Sequence, residues 1–141
     1  MINRVPLDRI EAAGRAVFEE ARRDRRSMAF CVVDEAGALV YATRMEGTHA
    51  RVLVFAINKA YTSAVMQRDT ITFRDEDSER GKTLADWGDP HFTHLVGGVA
   101  IRSADGEWLG GIGVGGNLTH RDDEVARAAL KVVLDGEEKC A

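Results

Sequence analysis

The feature that most constrains this fold is a glycine-rich segment in the second half of the chain. Seven of the twenty residues at 97–116 are glycine, apart from the glycine of the turn at 104–107. On either side of that turn, at 99–101 and 112–114, apolar residues alternate with small ones, which is the two-residue period of β-strands. The segment therefore predicts a hairpin. Because glycine offers no side chain for packing, we expect a ligand or another backbone to come close to these strands.

The rest of the chain shows the periods of helices and of one further hairpin. Apolar runs at 28–33 and 39–43, joined by a turn that contains Gly37, predict two more strands. Apolar residues three and four positions apart predict helices elsewhere. We place these helices at about 6–25, 48–67, 70–79 and from 117 onward. The stretch 81–93 has no clear period and is predicted to be a long loop.

This order of elements predicts an α+β fold. Tight turns join neighbouring antiparallel strands, so the two hairpins favour one antiparallel sheet flanked by helices, in the order α-β-β-α-loop-β-β-α. A chain of 141 residues is long enough to bury a core without disulfides or a structural metal. We therefore expect residues 1–141 to form a single domain.

Charge and hydropathy exclude several classes of partner. The net charge of −4 argues against binding to nucleic acid, which requires a clustered basic face. No apolar run approaches the roughly 18 residues of a membrane span, and the first residues do not form an apolar signal region. We expect a cytoplasmic protein with neither nucleic acid nor membrane as a partner.

Lys59 is the first candidate for chemistry because it stands on a predicted helix that is otherwise almost wholly apolar. If the ammonium is enclosed, its pKa falls toward the range useful for proton transfer, and it could hold an anionic ligand group. The alternative is a structural role, in which the ammonium pairs with a buried carboxylate or reaches water at the end of its flexible stem. Thr62 lies on the same predicted helix and either orients a ligand or bonds local backbone.

Arg44 and Met45 follow the second predicted strand. The Arg44 guanidinium is shaped to bind a carboxylate, and Met45 could form an apolar wall beside it. The alternative for Arg44 is an exposed charge on an edge strand. Gly115 and Gly116 lead into the last predicted helix, where free backbone N–H groups can bind a carboxylate or phosphate.

Histidines offer a second set of candidates. His91 and His94 have the spacing of half a metal site, but no cysteine or glutamate stands at a fixed offset from them. His91 and His94 are the candidate metal ligands, but the sequence favours the absence of a bound metal. His94 is also a candidate for proton transfer. His49 and His120 stand near predicted helix starts, where the helix dipole favours a neutral ring.

Six short segments together resemble the GlcG/HbpS-like family, which is also seen as the C-terminal domain of PduO-type proteins. They occur in the family's order and cover nearly the whole chain. The segments are Val32-Val33-Asp34 with Gly37, Arg44-Met45-Glu46-Gly47, Asn58-Lys59-Ala60 with Thr62, Gly97 to Ile101, Gly110 to Gly116, and Asp123-Glu124-Val125-Ala126. The resemblance implies a profilin-like fold and assembly into dimers or larger homo-oligomers. Some members bind haem, and many others are encoded among catabolic genes.

The residues and the resemblance together leave three functions open. The first is binding of haem or a carboxylated small molecule, in a pocket between the second helix and the glycine-rich hairpin. The second is a catabolic enzyme that performs proton transfer, hydrolysis or decarboxylation on a small organic acid, and the third is an oligomeric accessory protein. We expect ligand contacts from Arg44, Met45, Lys59, Thr62, Gly97, Gly98, Gly115 and Gly116, and catalysis, if any, from Lys59, Arg44 and His94.

Overall fold

The computed structural model describes the backbone of residues 2–140 and the side chains of residues 2–135. Its helices and strands follow the predicted order and confirm the α+β class. They are α1 (Leu7–Arg23), β1 (Ala29–Asp34), β2 (Leu39–Arg44), α2 (Ala50–Met66), α3 (Thr70–Arg80), β3 (Gly98–Arg102), β4 (Trp108–Gly115) and α4 (Thr119–Cys140). The segment predicted to be a loop at 81–93 contains a short 3₁₀ helix, Leu84–Trp87, which begins with a capping box between Thr83 and Asp86.

The four strands form one antiparallel sheet in the order β2-β1-β4-β3. The two hairpins are therefore joined through β1 and β4, which lie in the centre, while β2 and β3 are the edges. At one end of the sheet, Ala29 of β1 pairs with Arg44 of β2 on one side and with Gly115 of β4 on the other. This register places residues 44 and 115 two strands apart.

Helices cover both faces of the sheet. Because side chains alternate along a strand, Phe30 and Val32 point toward α1 and α4 and pack with Ile10 and Val125. Ala29, Cys31 and Val33 of β1 point the other way and pack on the alanines of α2. Within the described residues, no helix combines the length and apolar character that crossing a bilayer requires.

The central glycines of the hairpin allow the backbone of α2 to lie directly on the sheet. A Cβ atom added at Gly113 would lie 1.9 Å from the carbonyl oxygen of Ala56, and one added at Gly111 would lie 2.3 Å from that of Ala60. At Gly98 the corresponding distance to the carbonyl oxygen of Lys59 is 2.5 Å. The glycine-rich segment predicted that a ligand or another backbone comes close to these strands. At these three positions it is the backbone of α2.

Candidate functional site

A half-open groove of about 350 Å³ lies where the end of β4 meets the start of α4 and one side of α2. We call it the β4–α4 groove. Its apolar walls are formed by Val52 and Phe55 of α2 and by Leu95 and Val96, which precede β3. Phe55 and Leu95 are 37% and 47% exposed, respectively. The groove therefore offers apolar surface that the protein itself leaves uncovered.

The base of the groove is polar and holds a buried ion pair. Nζ of Lys59 lies 3.3 Å from Oδ2 of Asp122, and the two side chains are only 5% and 7% exposed. The ammonium also donates to the carbonyl oxygen of Val114 at 2.8 Å. Oδ1 of Asp122 accepts the backbone N–H of Asn117 at 3.0 Å. Both charged groups are thus held by partners within the protein.

Burial changes the acidity of both members of this pair. It lowers the pKa of Lys59, and the nearby Asp122 carboxylate opposes that change. It raises the pKa of Asp122, and here the Lys59 ammonium opposes the change. The two shifts bring the proton affinities of amine and carboxylate closer together. The pair is therefore better suited to exchanging a proton than either group would be in water.

Glycines around the pair make room for it. A Cβ atom added at Gly97 would lie 3.1 Å from Nζ of Lys59, and one added at Gly115 would lie 3.6 Å from it. Gly97 and Gly116 have φ values of +122° and +108°, which disfavour residues with a side chain. Of these positions, Gly97 is the one where an added Cβ atom would crowd the lysine, whereas at Gly116 it would meet the backbone of Ser27.

Two basic side chains line the rim. Arg74 of α3 is 43% exposed at its side chain, and its Nε donates to Asp75 at 3.0 Å. His94 is 28% exposed, and its Nε2 lies 2.6 Å from Oδ2 of Asp77, a side chain that is 1% exposed. The indole N–H of Trp87 donates to the same oxygen at 3.0 Å. Asp77 thus fixes the orientation of the His94 ring.

The predicted site residues are only partly brought together. Lys59, His94, Gly115 and Gly116 all line the β4–α4 groove. Gly97 does not line the groove, but a Cβ atom added there would lie close to Nζ of Lys59. These residues come from α2, the segment before β3 and the end of β4.

Arg44, Met45 and Thr62 lie elsewhere in the structure. Arg44 is on the edge strand β2, so β1 separates it from the groove, and its guanidinium donates to the carbonyl oxygen of Thr48 at 2.9 Å. Met45 is buried in the core, where its sulfur accepts the N–H of Met28. Thr62 is buried on α2, bonded to the carbonyl oxygen of Asn58 and to the N–H of Thr93. Gly98 lies beneath α2.

His91 and His94 make different contacts. The ring of His91 packs against Tyr61 with centroids 5.7 Å apart, whereas His94 turns toward Asp77. Among the residues that the structure describes, no group of three or more histidine, cysteine, aspartate or glutamate side chains could hold a metal ion.

Two charged residues of the groove were not identified from the sequence. Asp122 lies in the first turn of α4, and the pattern around Lys59 left open a buried carboxylate partner without naming it. Arg74 lies in a short helix with a weak apolar period, and nothing in the sequence distinguishes it from the neighbouring charges.

A larger cavity of about 560 Å³ lies beside the start of α1 and the turn between β3 and β4. Its two arginines already have partners within the protein, since Arg4 contacts the carboxylates of Glu35 and Glu107. Arg9 donates to the carbonyl oxygen of Val132 at 2.8 Å. This cavity contains none of the candidate residues, so we take the smaller groove as the candidate site.

Comparison with known proteins gives a match over most of the chain. The family model described as "Haem degrading protein HbpS-like" matches residues 5–131. A double mutant of HbpS from Streptomyces reticuli is 28% identical, with a TM-score of 0.82 over 94% of this chain and 88% of that chain. No curated protein sequence matches significantly.

Two more distant solved structures share the fold. The PduOC:heme complex is 22% identical, with a TM-score of 0.80 over 90% of this chain and 93% of that chain. The protein ORFY of Klebsiella pneumoniae is 20% identical, with a TM-score of 0.82 over 94% of this chain and 92% of that chain.

Proposed function

The chain belongs to the HbpS-like family of haem degrading proteins, and from this premise we propose that it binds haem in the β4–α4 groove. The observation that carries the proposal is the combination, in one half-open groove, of uncovered apolar walls with a polar base and a basic rim. A structural relative of the chain is described as a complex with heme. Ligand sites are typically apolar with a few convergent polar groups, which this groove matches.

The residues present fit such a ligand. Phe55 and Leu95 supply exposed apolar surface for a flat ring system, and the open side of the groove leaves room for the part that is not enclosed. His94 carries the imidazole that haem iron commonly binds in proteins, and it would be the iron ligand. Asp77 orients that ring, as carboxylates do for histidines that bind metals. Bound haem would supply an iron centre for ligand exchange or redox chemistry.

Titration of purified protein with haemin tests the proposal. We expect a defined Soret band that saturates at one haem per chain. Leu95→Glu places a carboxylate on the wall of the groove and should weaken haemin binding by about tenfold or more, since burial of apolar surface drives association. Leu39→Glu is the matched control, because Leu39 is 58% exposed on the far edge strand. Equal affinities for both variants would contradict the location.

The Lys59–Asp122 pair favours a second candidate, a catabolic enzyme that moves a proton on a small organic acid. A buried amine and carboxylate whose pKa values shift toward each other are suited to exchanging a proton with a molecule bound beside them. The test is to incubate the protein with a panel of small organic acids and to follow products by NMR. Turnover that persists in Lys59→Met, with the fold checked by circular dichroism, would contradict a role for the pair.

Two further expectations accompany the proposal. Assembly into a homo-oligomer agrees with the exposed apolar residues Val54 and Val65 on the outer side of α2. Sedimentation measurements would determine the oligomer size.

We also propose that the protein acts in the cytoplasm, which fractionation of cells would test.

A further inference from the structure

Three basic side chains line the β4–α4 groove, and they differ in what they can still bind. Lys59 is enclosed, and its ammonium already contacts Asp122 and the carbonyl oxygen of Val114. The positive and negative charges of the pair compensate each other. A ligand carboxylate that approached Lys59 would have to compete with a buried aspartate that is already in place.

His94 is also committed to another contact. Its Nε2 and an oxygen of Asp77 are 2.6 Å apart, and that oxygen also accepts the indole N–H of Trp87. A ring that donates from Nε2 presents Nδ1 as an acceptor when it is neutral. In that form it offers no second N–H to a carboxylate.

Arg74 differs from both. Its side chain is 43% exposed, and its Nε donates to the exposed carboxylate of Asp75. Within the part of the chain whose side chains are described, its two Nη groups make no hydrogen bond. A guanidinium keeps its charge at every physiological pH, and its two Nη groups present parallel donors that match the two oxygens of a carboxylate.

We infer that Arg74 binds the carboxylate of the ligand and thereby sets its orientation in the groove. This inference rests on the proposed function and specifies it. The apolar body of the ligand lies between Phe55 and Leu95, and the carboxylate points outward to the rim on α3. The Lys59–Asp122 pair then lies beneath the body of the ligand and does not serve as its anion receptor. For haem, the group that Arg74 binds is a propionate.

Two ligands that differ only in their carboxylates test this assignment. Haemin and haemin dimethyl ester have the same ring and iron, but the ester has no free carboxylate. Binding of each to the wild type and to Arg74→Gln is measured by the Soret absorbance in the same dilute cosolvent. We expect Arg74→Gln to weaken haemin binding by about tenfold and to leave binding of the ester within about twofold of wild type.

Two more variants complete the experiment. Arg80→Gln removes a charge from the same helix, at a side chain that is 57% exposed and contacts Glu76, and it should leave both affinities unchanged. Arg74→Lys keeps the charge but not the paired donors, and it should recover only part of the affinity for haemin.

The remaining outcomes separate the two proposals. If haemin binds wild type and Arg74→Gln equally, haem binding stands and the role of Arg74 is wrong. The role is also wrong if both ligands lose the same affinity, because Arg74 would then contribute packing alone. If neither ligand binds the wild type, the proposed haem function is wrong, and the role of Arg74 as the receptor for a haem propionate is wrong with it.

Discussion

The ammonium of Lys59 and the carboxylate of Asp122 meet at the end of the sheet, with Nζ and Oδ2 3.3 Å apart. Lys59 belongs to α2, which covers one face of the sheet, and Asp122 belongs to α4, which covers the other. The pair therefore joins the two helical layers around the last residues of β4. Because the pair is buried, each charge is stabilised by the other and not by water.

Removing one member of this pair should destabilise the protein strongly. Asp122→Asn leaves an ammonium buried without its anion, and Lys59→Met leaves a buried carboxylate. Each should lower the free energy of unfolding by about 3 to 5 kcal/mol. The double variant should lose less than the sum of the two. Urea unfolding of the wild type, the two single variants and the double variant gives the coupling free energy between the two side chains. Additive losses would show that the two groups do not interact.

The glycines of β4 should differ sharply in their tolerance of alanine. Gly113→Ala places a methyl group 1.9 Å from the carbonyl oxygen of Ala56, so α2 must move away from the sheet. We expect a loss of about 1 to 3 kcal/mol or more, as for other overpacked cores. At Gly115 the nearest atom is 3.3 Å from the added Cβ, so Gly115→Ala serves as the control. Similar melting temperatures for both variants would contradict the close packing of α2.

Acid should weaken the contact between the end of α1 and the start of α4. Hydrogen bonds from Arg121 and then from Asn117 lower the pKa of Asp24. The folded protein therefore binds this proton less readily than the unfolded chain does. The stabilisation is present above about pH 4, the ordinary pKa of aspartate, and is lost as the pH falls through the lowered value.

The measurement is the free energy of unfolding between pH 7 and pH 3 for wild type and Asp24→Asn. The difference between the two should be largest at neutral pH and should shrink below about pH 4. A difference that stays constant over this range would show that Asp24 does not contribute to the acid sensitivity.

His94 and His91 should affect bound haemin differently. His94 lines the β4–α4 groove, whereas His91 packs against Tyr61 and does not line it. We expect His94→Ala to change the Soret and visible bands of bound haemin, since the iron would lose an imidazole ligand. His91→Ala should leave the spectrum unchanged. Identical spectra for both variants would mean that His94 does not bind the iron.

The buried thiol of Cys31 should react only after unfolding. Burial raises its pKa to about 12, so almost no thiolate is present at neutral pH. In a Cys140→Ser background, labelling by a thiol reagent should follow the rate of unfolding. Rapid labelling under native conditions would contradict the packing of β1 against α2.

The order of the elements could be predicted from the sequence because most helices and strands have a clear apolar pattern, although that of α3 is weak. The sequence did not indicate what lies against the glycines. A glycine-rich run indicates that a ligand or another backbone comes close to it. The sequence does not distinguish between these two, because a ligand and a packed helix both need the space that side chains would fill. At Gly111 and Gly113 the neighbour is α2. Among the glycines that the structure describes, only Gly115 and Gly116 border the groove.

The candidate site was partly predictable for a similar reason. Lys59 is conspicuous because it is a charge on an apolar helix, and such a charge needs either a carboxylate or access to water. The position of Arg44 depended on the strand order, which the sequence pattern does not specify, and β1 separates Arg44 from the groove. Arg74 is one of several charges on α3, and only the packing of that helix brings it to the rim.

Locating haemin on the protein by NMR tests directly whether the β4–α4 groove is the haem site. Paramagnetic iron broadens the amide signals of residues close to it, so a nitrogen-15 spectrum recorded with and without haemin reports where it binds. We expect the signals of Val96, Gly115 and Gly116 to disappear first. Loss of the signals of Val5 and Leu109 instead, which line the larger cavity, would contradict it.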